Sequence, residues 1–297
     1  MAKQDQNGLV VVHKPRGMTS FDVVRRVRKL ARMKKVGHTG TLDPEATGVL
    51  PVALGRCTKL SKFLVLDEKR YQFTMRLGEA RDTGDLEGEV VRTAPWDHLR
   101  RRDMEAELPQ FVGDVDQVPP AYSAIKVDGK RAYELARAGE EVKLEARKVR
   151  IEELVIRDWR LPEVDLEVRC GPGTYIRSLA RDLGEALGSA AHTTMIHRLQ
   201  VGPFAIDDAV HLEELTPENF WDHVLSPLEM MRSLPKFKVD EGEKKRVRNG
   251  QPIKACGPWQ EGEAVALYDA AEQLVAVAQC RQRDADGAQL WPRRVML

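Results

Sequence analysis

Gly37-His38-Thr39-Gly40-Thr41-Leu42-Asp43-Pro44-Glu45-Ala46-Thr47-Gly48 is the stretch around which this chain is organised. Three glycines and a proline in twelve residues exclude a helix interior or a packed strand, where both residue types are costly. The run reads as a shaped loop presenting one carboxylate, Asp43, between a basic helical segment and an apolar one. Two readings stand on composition alone. One is a surface turn started by Asp-Pro; the other is a functional loop on a rigid scaffold.

Upstream of the loop, residues 8–13 are an apolar run that reads as a strand, closed by the turn Lys14-Pro15-Arg16-Gly17. Thr19 offers a helix cap, with Asp22 completing a variant capping box. Val23, Val24, Val27, Leu30 and Ala31 then recur at helical spacing. The opposite face carries Arg25, Arg26, Arg28, Lys29 and Arg32, continued by Lys34 and Lys35, with no acid between Asp22 and Asp43. A charge run is ordinarily a solvated face; an unbalanced one leading into a glycine-rich loop suits phosphate contact.

Downstream, Val49–Gly55 is short and apolar, and a helix is expected from about Thr58. Residues 70–77 alternate as a half-buried strand, with Tyr71, Phe73, Met75 and Leu77 on one face. A polar, turn-rich stretch follows over 81–88, then a charged helical segment over roughly 97–112. Gln117 to Gly139 is irregular and basic, with Pro119-Pro120 blocking strand pairing and Val127-Asp128-Gly129-Lys130 signalling a turn. Strands are expected near 148–157 and 163–170, and a helix carrying Ile176, Leu179, Ala180 and Leu183, ended by Gly184 or Gly188. Arg198-Leu199 leads into a further strand with Val201 and Phe204, and 205–233 reads as helical pieces or linker. From about Leu234 two apolar runs, Ala264–Asp269 and Leu274–Ala278, flank a polar turn and look like a hairpin.

A chain of 297 residues can bury a sizeable core in one large domain or two unequal ones. Its net charge of +1 gives no overall basic field, so nucleic-acid contact requires basic groups sorted onto one face. The four cysteines, Cys57, Cys170, Cys256 and Cys280, include no C-x-x-C pair; this supports neither a zinc site nor a redox motif and fits a reducing cytosol. The stretch Met1–Asn7 is polar without an apolar signal core, and no apolar run approaches a membrane span.

Five blocks in order resemble the tRNA pseudouridine synthases of the TruB family. They are Gly8-Leu9-Val10-Val11-Val12-His13-Lys14-Pro15-Arg16-Gly17-Met18-Thr19-Ser20, the Gly37–Gly48 loop, Lys69-Arg70-Tyr71, Pro119-Pro120-Ala121-Tyr122-Ser123-Ala124-Ile125-Lys126, and Gly173-Thr174-Tyr175-Ile176-Arg177-Ser178-Leu179. The resemblance implies an α+β fold, a mixed and mostly antiparallel sheet flanked by helices. The C-terminal pattern resembles a small PUA-like β-barrel. The expected domains are a catalytic domain over 1–233, with an RNA-gripping insertion at about 117–147 that folds over the T-arm, and an RNA-binding domain over 234–297.

The implied reaction converts uridine 55 in the T-loop of tRNA to pseudouridine. Uracil leaves C1′ at N1, turns, and rejoins through C5, so no cofactor is called for. The absence of a P-loop or a convincing dinucleotide fingerprint agrees with that. Asp43 matches the family's aspartate, and a carboxylate can act as a covalent nucleophile. Attack at C1′, attack at C6, and assistance without a lasting adduct all remain open. Asp-Pro-Glu is too sparse for a metal cage, so no metal is expected.

Desolvation would raise the pKa of such a carboxylate and a neighbouring cation would lower it. By resemblance Arg177 is that cation, and Arg177→Met is expected to abolish turnover with the fold intact. Tyr71 matches the active-site tyrosine that stacks on the target base, with core packing as its plainer role. Tyr175 and Leu199 match pocket-lining positions, Leu199 on resemblance only. His38 matches the planar side chain that fills the stack once the nucleotide is turned out. His192 and His197 are taken as structural.

The expected partner is the T-arm stem-loop of tRNA. No membrane and no obligate protein partner are implied, and the chain is expected to be a cytoplasmic monomer. A guide-RNA-dependent relative shares the loop motif, but the short stretch before Gly8 disfavours it. A non-catalytic RNA-binding or RNA-folding protein is the reading from another class; the Asp43, Tyr71 and Arg177 matches disfavour it as a sole role.

Overall fold

The computed structural model describes residues 6–65, 68–123, 125–127, 129–140, 142–284 and 287–296. Asp128 of the expected turn, Ala124 and the first five residues lie outside that set. The chain forms two compact units: one holds the residues up to Asp43, Val49–Val65 and those from Gly202 on; the other holds Pro44–Gly48 and Leu66–Val201.

In the first unit the apolar strand Gly8–Lys14 is buried on both faces. Val210–His211 pairs with it in parallel and Val224–Leu225 antiparallel, and the strand ending at Leu54 is also its neighbour. A side chain at Gly8 is impossible, because a Cβ there would lie 2.4 Å from the Leu225 carbonyl oxygen. The helix Ser20–Ala31 follows, begun by the Thr19–Asp22 capping box and ended by Arg32 in the left-handed region at φ 52°. Val23, Val24, Val27, Leu30 and Ala31 are buried, whereas Arg25, Arg26, Lys29, Arg32, Lys34 and Lys35 are exposed. The helix expected from Thr58 is a 3-10 turn over Gly55–Lys59 and a short helix, Ser61–Val65.

The C-terminal part of this unit is a five-stranded sheet in the order Lys236–Lys238, Ala264–Tyr268, Leu274–Asp284, Gly287–Val295, Ile253–Ala255. The expected hairpin is its centre, Ala264 pairing with Gln279 and Leu267 with Ala276. Val239, Val247, Ile253, Trp259, Val265, Leu267 and Leu290 form its core. This is the small, β-rich, PUA-like element foreseen in the sequence.

The second unit is built on an antiparallel sheet ordered Ala191–Val201, Lys69–Leu77, Glu163–Cys170, Arg147–Arg160, Gly113–Gln117. Phe73, Met75, Val164, Leu166 and Val168 are wholly buried in it. The helix Ile176–Ala186 buries Ile176, Leu179, Ala180 and Leu183. Gly184 does not end that helix but lets it close on the next strand, since a Cβ there would stand 2.6 Å from that of Ala191. Gly188, at φ 67°, follows the last turn. The charged segment is the helix Arg101–Glu107 extended by a 3-10 turn, Leu108–Phe111. The fold is therefore α+β, with mixed and mostly antiparallel strands flanked by helices.

Candidate functional site

In the first unit His38 closes the strand Val36–His38, paired with Val52 of the Thr47–Leu54 strand. Between these strands runs the irregular loop that carries Asp43. Its backbone is pinned from several directions. The Thr39 amide donates to the Pro51 carbonyl at 3.1 Å. The buried Ser20 hydroxyl accepts from the Leu42 amide at 2.8 Å and donates to the Leu42 carbonyl at 3.0 Å. Asp43 follows at once and is half-buried, as are His38, Pro44 and Glu45.

In the second unit the same strand begins against Ala191–Val201, with Thr47 opposite His197 and Gly48 opposite Arg198. Thr47 Oγ1 and His197 Nδ1 share a hydrogen bond of 2.7 Å. Gly48 has φ 103°, and a Cβ there would lie 2.2 Å from the Arg198 carbonyl oxygen, so only glycine fits. Burial holds the imidazoles of His197 and His192 below the ordinary histidine range. His192 Nδ1 meets the Glu79 carbonyl at 3.0 Å. Both histidines thus have the structural surroundings expected of them.

Tyr71 is 7% exposed and lies between Val168 on one neighbouring strand and Arg198 on the other. Leu199 is the extra residue of a bulge: Arg198 pairs with Tyr71 and Gln200 with Arg70, leaving Leu199 unopposed. Bulges re-aim side chains and recur beside active sites. Arg198 itself, large and 1% exposed, is a residue that sequence reasoning passed over.

Arg177 is the best-defined group. Its Nη1 donates to the Thr83 carbonyl at 2.7 Å and its Nη2 to the Tyr122 carbonyl at 2.9 Å. The same Nη1 lies 3.5 Å from Asp85 Oδ2, with both side chains buried. The stretch 81–88, read from sequence only as polar and turn-rich, is the cradle of this guanidinium. It is knitted by its own acids. Asp85 Oδ1 accepts from Thr83 Oγ1 at 2.6 Å and from the Glu87 amide at 3.1 Å. Asp82 Oδ1 accepts from the Thr83 and Glu89 amides, both at 2.9 Å. Asp82 Oδ2 meets the Tyr122 hydroxyl at 3.4 Å, and burial, then this carboxylate, push the Tyr122 phenol above its ordinary range.

The start of the Arg177 helix is clamped by Gln117, a second residue not foreseen. Its side-chain amide, 2% exposed, accepts from the Tyr175 amide at 2.8 Å and donates to the Tyr175 carbonyl at 3.1 Å. Ser178 Oγ and Arg181 Nη2 both donate to the Val118 carbonyl, at 2.8 and 2.9 Å. The opening of the 117–147 segment is thus bonded to the helix, and further along the segment lie the hairpin of Lys126–Val127 with Lys130–Arg131 and the short helix Ala132–Arg137. A cavity of about 500 Å³ lies beside this junction, lined by Arg81, Asp82, Val118, Pro119, Arg177 and Arg181 among others. Tyr71, Tyr175 and Leu199 do not line it.

Comparison with known proteins bears on both ends of this arrangement. The pattern described as TruB family pseudouridylate synthase (N terminal domain) matches residues 28–176, and that described as tRNA pseudouridylate synthase B C-terminal domain matches 177–232. The tRNA pseudouridine synthase B of Burkholderia lata is 43% identical over 298 residues, covering 98% of this chain and 90% of its own. That of Mycobacteroides abscessus is 45% identical over 279 residues, covering 91% of each chain. Among solved structures, one described as a Cbf5-Nop10-Gar1 complex superposes with a TM-score of 0.77 at 25% identity, covering 98% of this chain and 85% of the other. An H/ACA RNP bound to a substrate RNA containing 2'-deoxyuridine gives 0.75 at 23% identity, again over 98% and 85%, a likeness of fold alone.

Proposed function

We infer the reaction from one premise: the chain belongs to the TruB family of pseudouridylate synthases. It is an isomerase that makes pseudouridine in tRNA. We propose that its target is uridine 55 of the T-loop, turned out of the loop into the enzyme, with Asp43 as the nucleophile. In the overall change the N1–C1′ bond breaks and a C5–C1′ bond forms. The C5 proton passes to solvent and N1 gains one, so neither electrons nor phosphate are exchanged.

The observation that carries this reading is the pinned loop, which fixes the backbone immediately before a half-buried carboxylate. Fixing a reacting group in place lowers the entropic part of a barrier. Arg177 is proposed as the cation that keeps that carboxylate ionised, itself set by Asp85 and two carbonyls. Tyr71 is proposed to stack on the base and assist proton transfer, Tyr175 and Leu199 to line its pocket, and His38 to replace it in the stack. The catalytic domain is proposed to be 1–233, with the 117–147 segment gripping the T-arm and 234–297 binding RNA. Exposed Arg25, Arg26 and Lys29 are suited to the phosphates. The enzyme is proposed to act as a cytoplasmic monomer on tRNA without a guide RNA or a partner protein. No helix among the described residues is long and apolar enough to cross a membrane.

A T-arm stem-loop labelled with tritium at C5 of uridine 55 tests the proposal. The purified chain releases the label and carbodiimide mapping finds pseudouridine at that position; Asp43→Asn does neither but still binds. Label release by Asp43→Asn at the native rate, or product at another uridine only, refutes it. Loss of binding in that variant favours a purely RNA-binding role.

A further inference from the structure

We propose that Ser20 is a positioning residue for Asp43, a role that rests on Asp43 being the nucleophile. Ser20 opens the helix Ser20–Ala31 and is 3% exposed. Its hydroxyl spends its one donor on the Leu42 carbonyl and an acceptor lone pair on the Leu42 amide. Leu42 is 4% exposed and belongs to no strand or helix. A buried backbone without a ladder partner must be satisfied in some other way, and here a single side chain serves both of its polar groups. The residue so held is the one whose carbonyl is the start of the Leu42–Asp43 peptide bond.

The clamp stands on a rigid base. The Thr19 hydroxyl accepts from the Asp22 amide at 3.1 Å, and Asp22 Oδ2 accepts from the Thr19 amide at 3.0 Å and the Thr19 hydroxyl at 2.6 Å. Hydrogen bonds from the Thr19 hydroxyl, the Arg25 guanidinium and the Thr19 amide, in that order, draw the Asp22 carboxyl down to about 2, so the box persists throughout neutral and mildly acid conditions. Thr47, five residues beyond Leu42, is bonded to His197. Ser20 therefore sets the near stem of the loop. Its role differs from that of an ordinary helix-capping serine. The cap here is Thr19, and the Ser20 hydroxyl points its bonds at the loop.

The test compares Ser20→Ala, Ser20→Cys and Ser20→Thr in steady-state turnover of the T-arm stem-loop, at a temperature where circular dichroism shows each variant folded. A misplaced reacting group loses rate rather than affinity, so Ser20→Ala lowers kcat by about 10- to 100-fold with KM within about 2-fold. Ser20→Thr, which keeps the hydroxyl, stays within about 3-fold of the native kcat. Should Ser20→Ala fail to fold, Ser20→Cys decides, since its thiol fills similar space but bonds weakly; it then loses kcat by about 10-fold or more. Native kcat in Ser20→Ala or Ser20→Cys, a raised KM with kcat kept, or equal losses in the Ala and Thr variants overturns the proposal. Asp43→Asn, assayed alongside, separates the two ideas. An active Asp43→Asn sinks the nucleophile assignment, whereas an inactive one beside a fully active Ser20→Ala sinks only the clamp.

Discussion

The Arg177–Asp85 pair sets up a double-mutant cycle with a magnitude fixed by its surroundings. The two side chains are 6% and 9% exposed and 3.5 Å apart. Removing one member of a buried pair strands the other charge and costs about 3–5 kcal/mol. In Asp85→Asn the amide oxygen still accepts from Thr83 and Glu87, while the atom facing Arg177 becomes an amide NH2 with neither charge nor acceptor, and the cost lies at about 3 kcal/mol or somewhat above. Arg177→Met also frees the Thr83 and Tyr122 carbonyls, which places it toward about 5 kcal/mol. Arg177→Met therefore weakens the fold as well as turnover, where sequence reasoning expects the fold to be spared. The double variant strands neither charge, and its loss falls short of the summed single losses by about 2–3 kcal/mol. Urea unfolding of the four proteins, extrapolated linearly to water, measures this. Additivity within about 0.5 kcal/mol would show that the two groups do not stabilise one another, and the account of the 81–88 cradle would fail.

Further outcomes follow from other features. Gly48→Ala drives a Cβ to within 2.2 Å of the Arg198 carbonyl at φ 103°, and thermal melting should register a loss of about 2 kcal/mol or more. Tyr71→Phe should turn over about 100-fold more slowly if the hydroxyl moves a proton; unchanged turnover would limit Tyr71 to packing. Because His192 and His197 are held below the ordinary histidine range, the unfolded chain takes up protons first as pH falls below about 6.5. Stability measured in urea should decline from pH 7.5 to 5.5, and a rise over that interval would contradict the assignment. Arg25→Gln with Arg26→Gln should shallow the salt dependence of stem-loop binding by about one to two in log–log slope, and an unaltered slope would remove that helix from the phosphate path.

Much of the architecture was legible because it obeys simple periods. The capping box and apolar stripe of Ser20–Ala31, the alternation of 70–77 and the C-terminal hairpin all survive into three dimensions. The strand Ala191–Val201 was recognised only at its end, and two bulges explain why. Odd positions Ala191 and Thr193 share a face with Met75 and Leu77 of the partner; past Thr194 the even positions Ile196 and Arg198 take that face; past Leu199 it returns to Val201. An alternating pattern that changes phase twice in eleven residues does not look like a strand in one dimension. Ser20, Asp85 and Gln117 escaped notice for a different reason. A buried polar residue that satisfies a remote backbone has the same letter as one facing water, and no local spacing marks it. Family resemblance supplied the remaining site residues, which composition alone could not distinguish from turn or core.

The twice-shifted strand also limits how this enzyme can diversify. Losing Leu199 alone would leave Arg198 opposite Tyr71 and Gln200 opposite Arg70 in regular pairing, and losing Thr194 alone would leave Thr193 opposite Met75 and Met195 opposite Thr74, with every paired side chain on its present face. A deletion elsewhere in the strand would instead turn the residues beyond it to the other face. Length changes in this strand are therefore absorbed at the two irregularities. Homologues that drift here should keep or drop each extra residue independently and preserve the Tyr71–Arg198 alignment in either case.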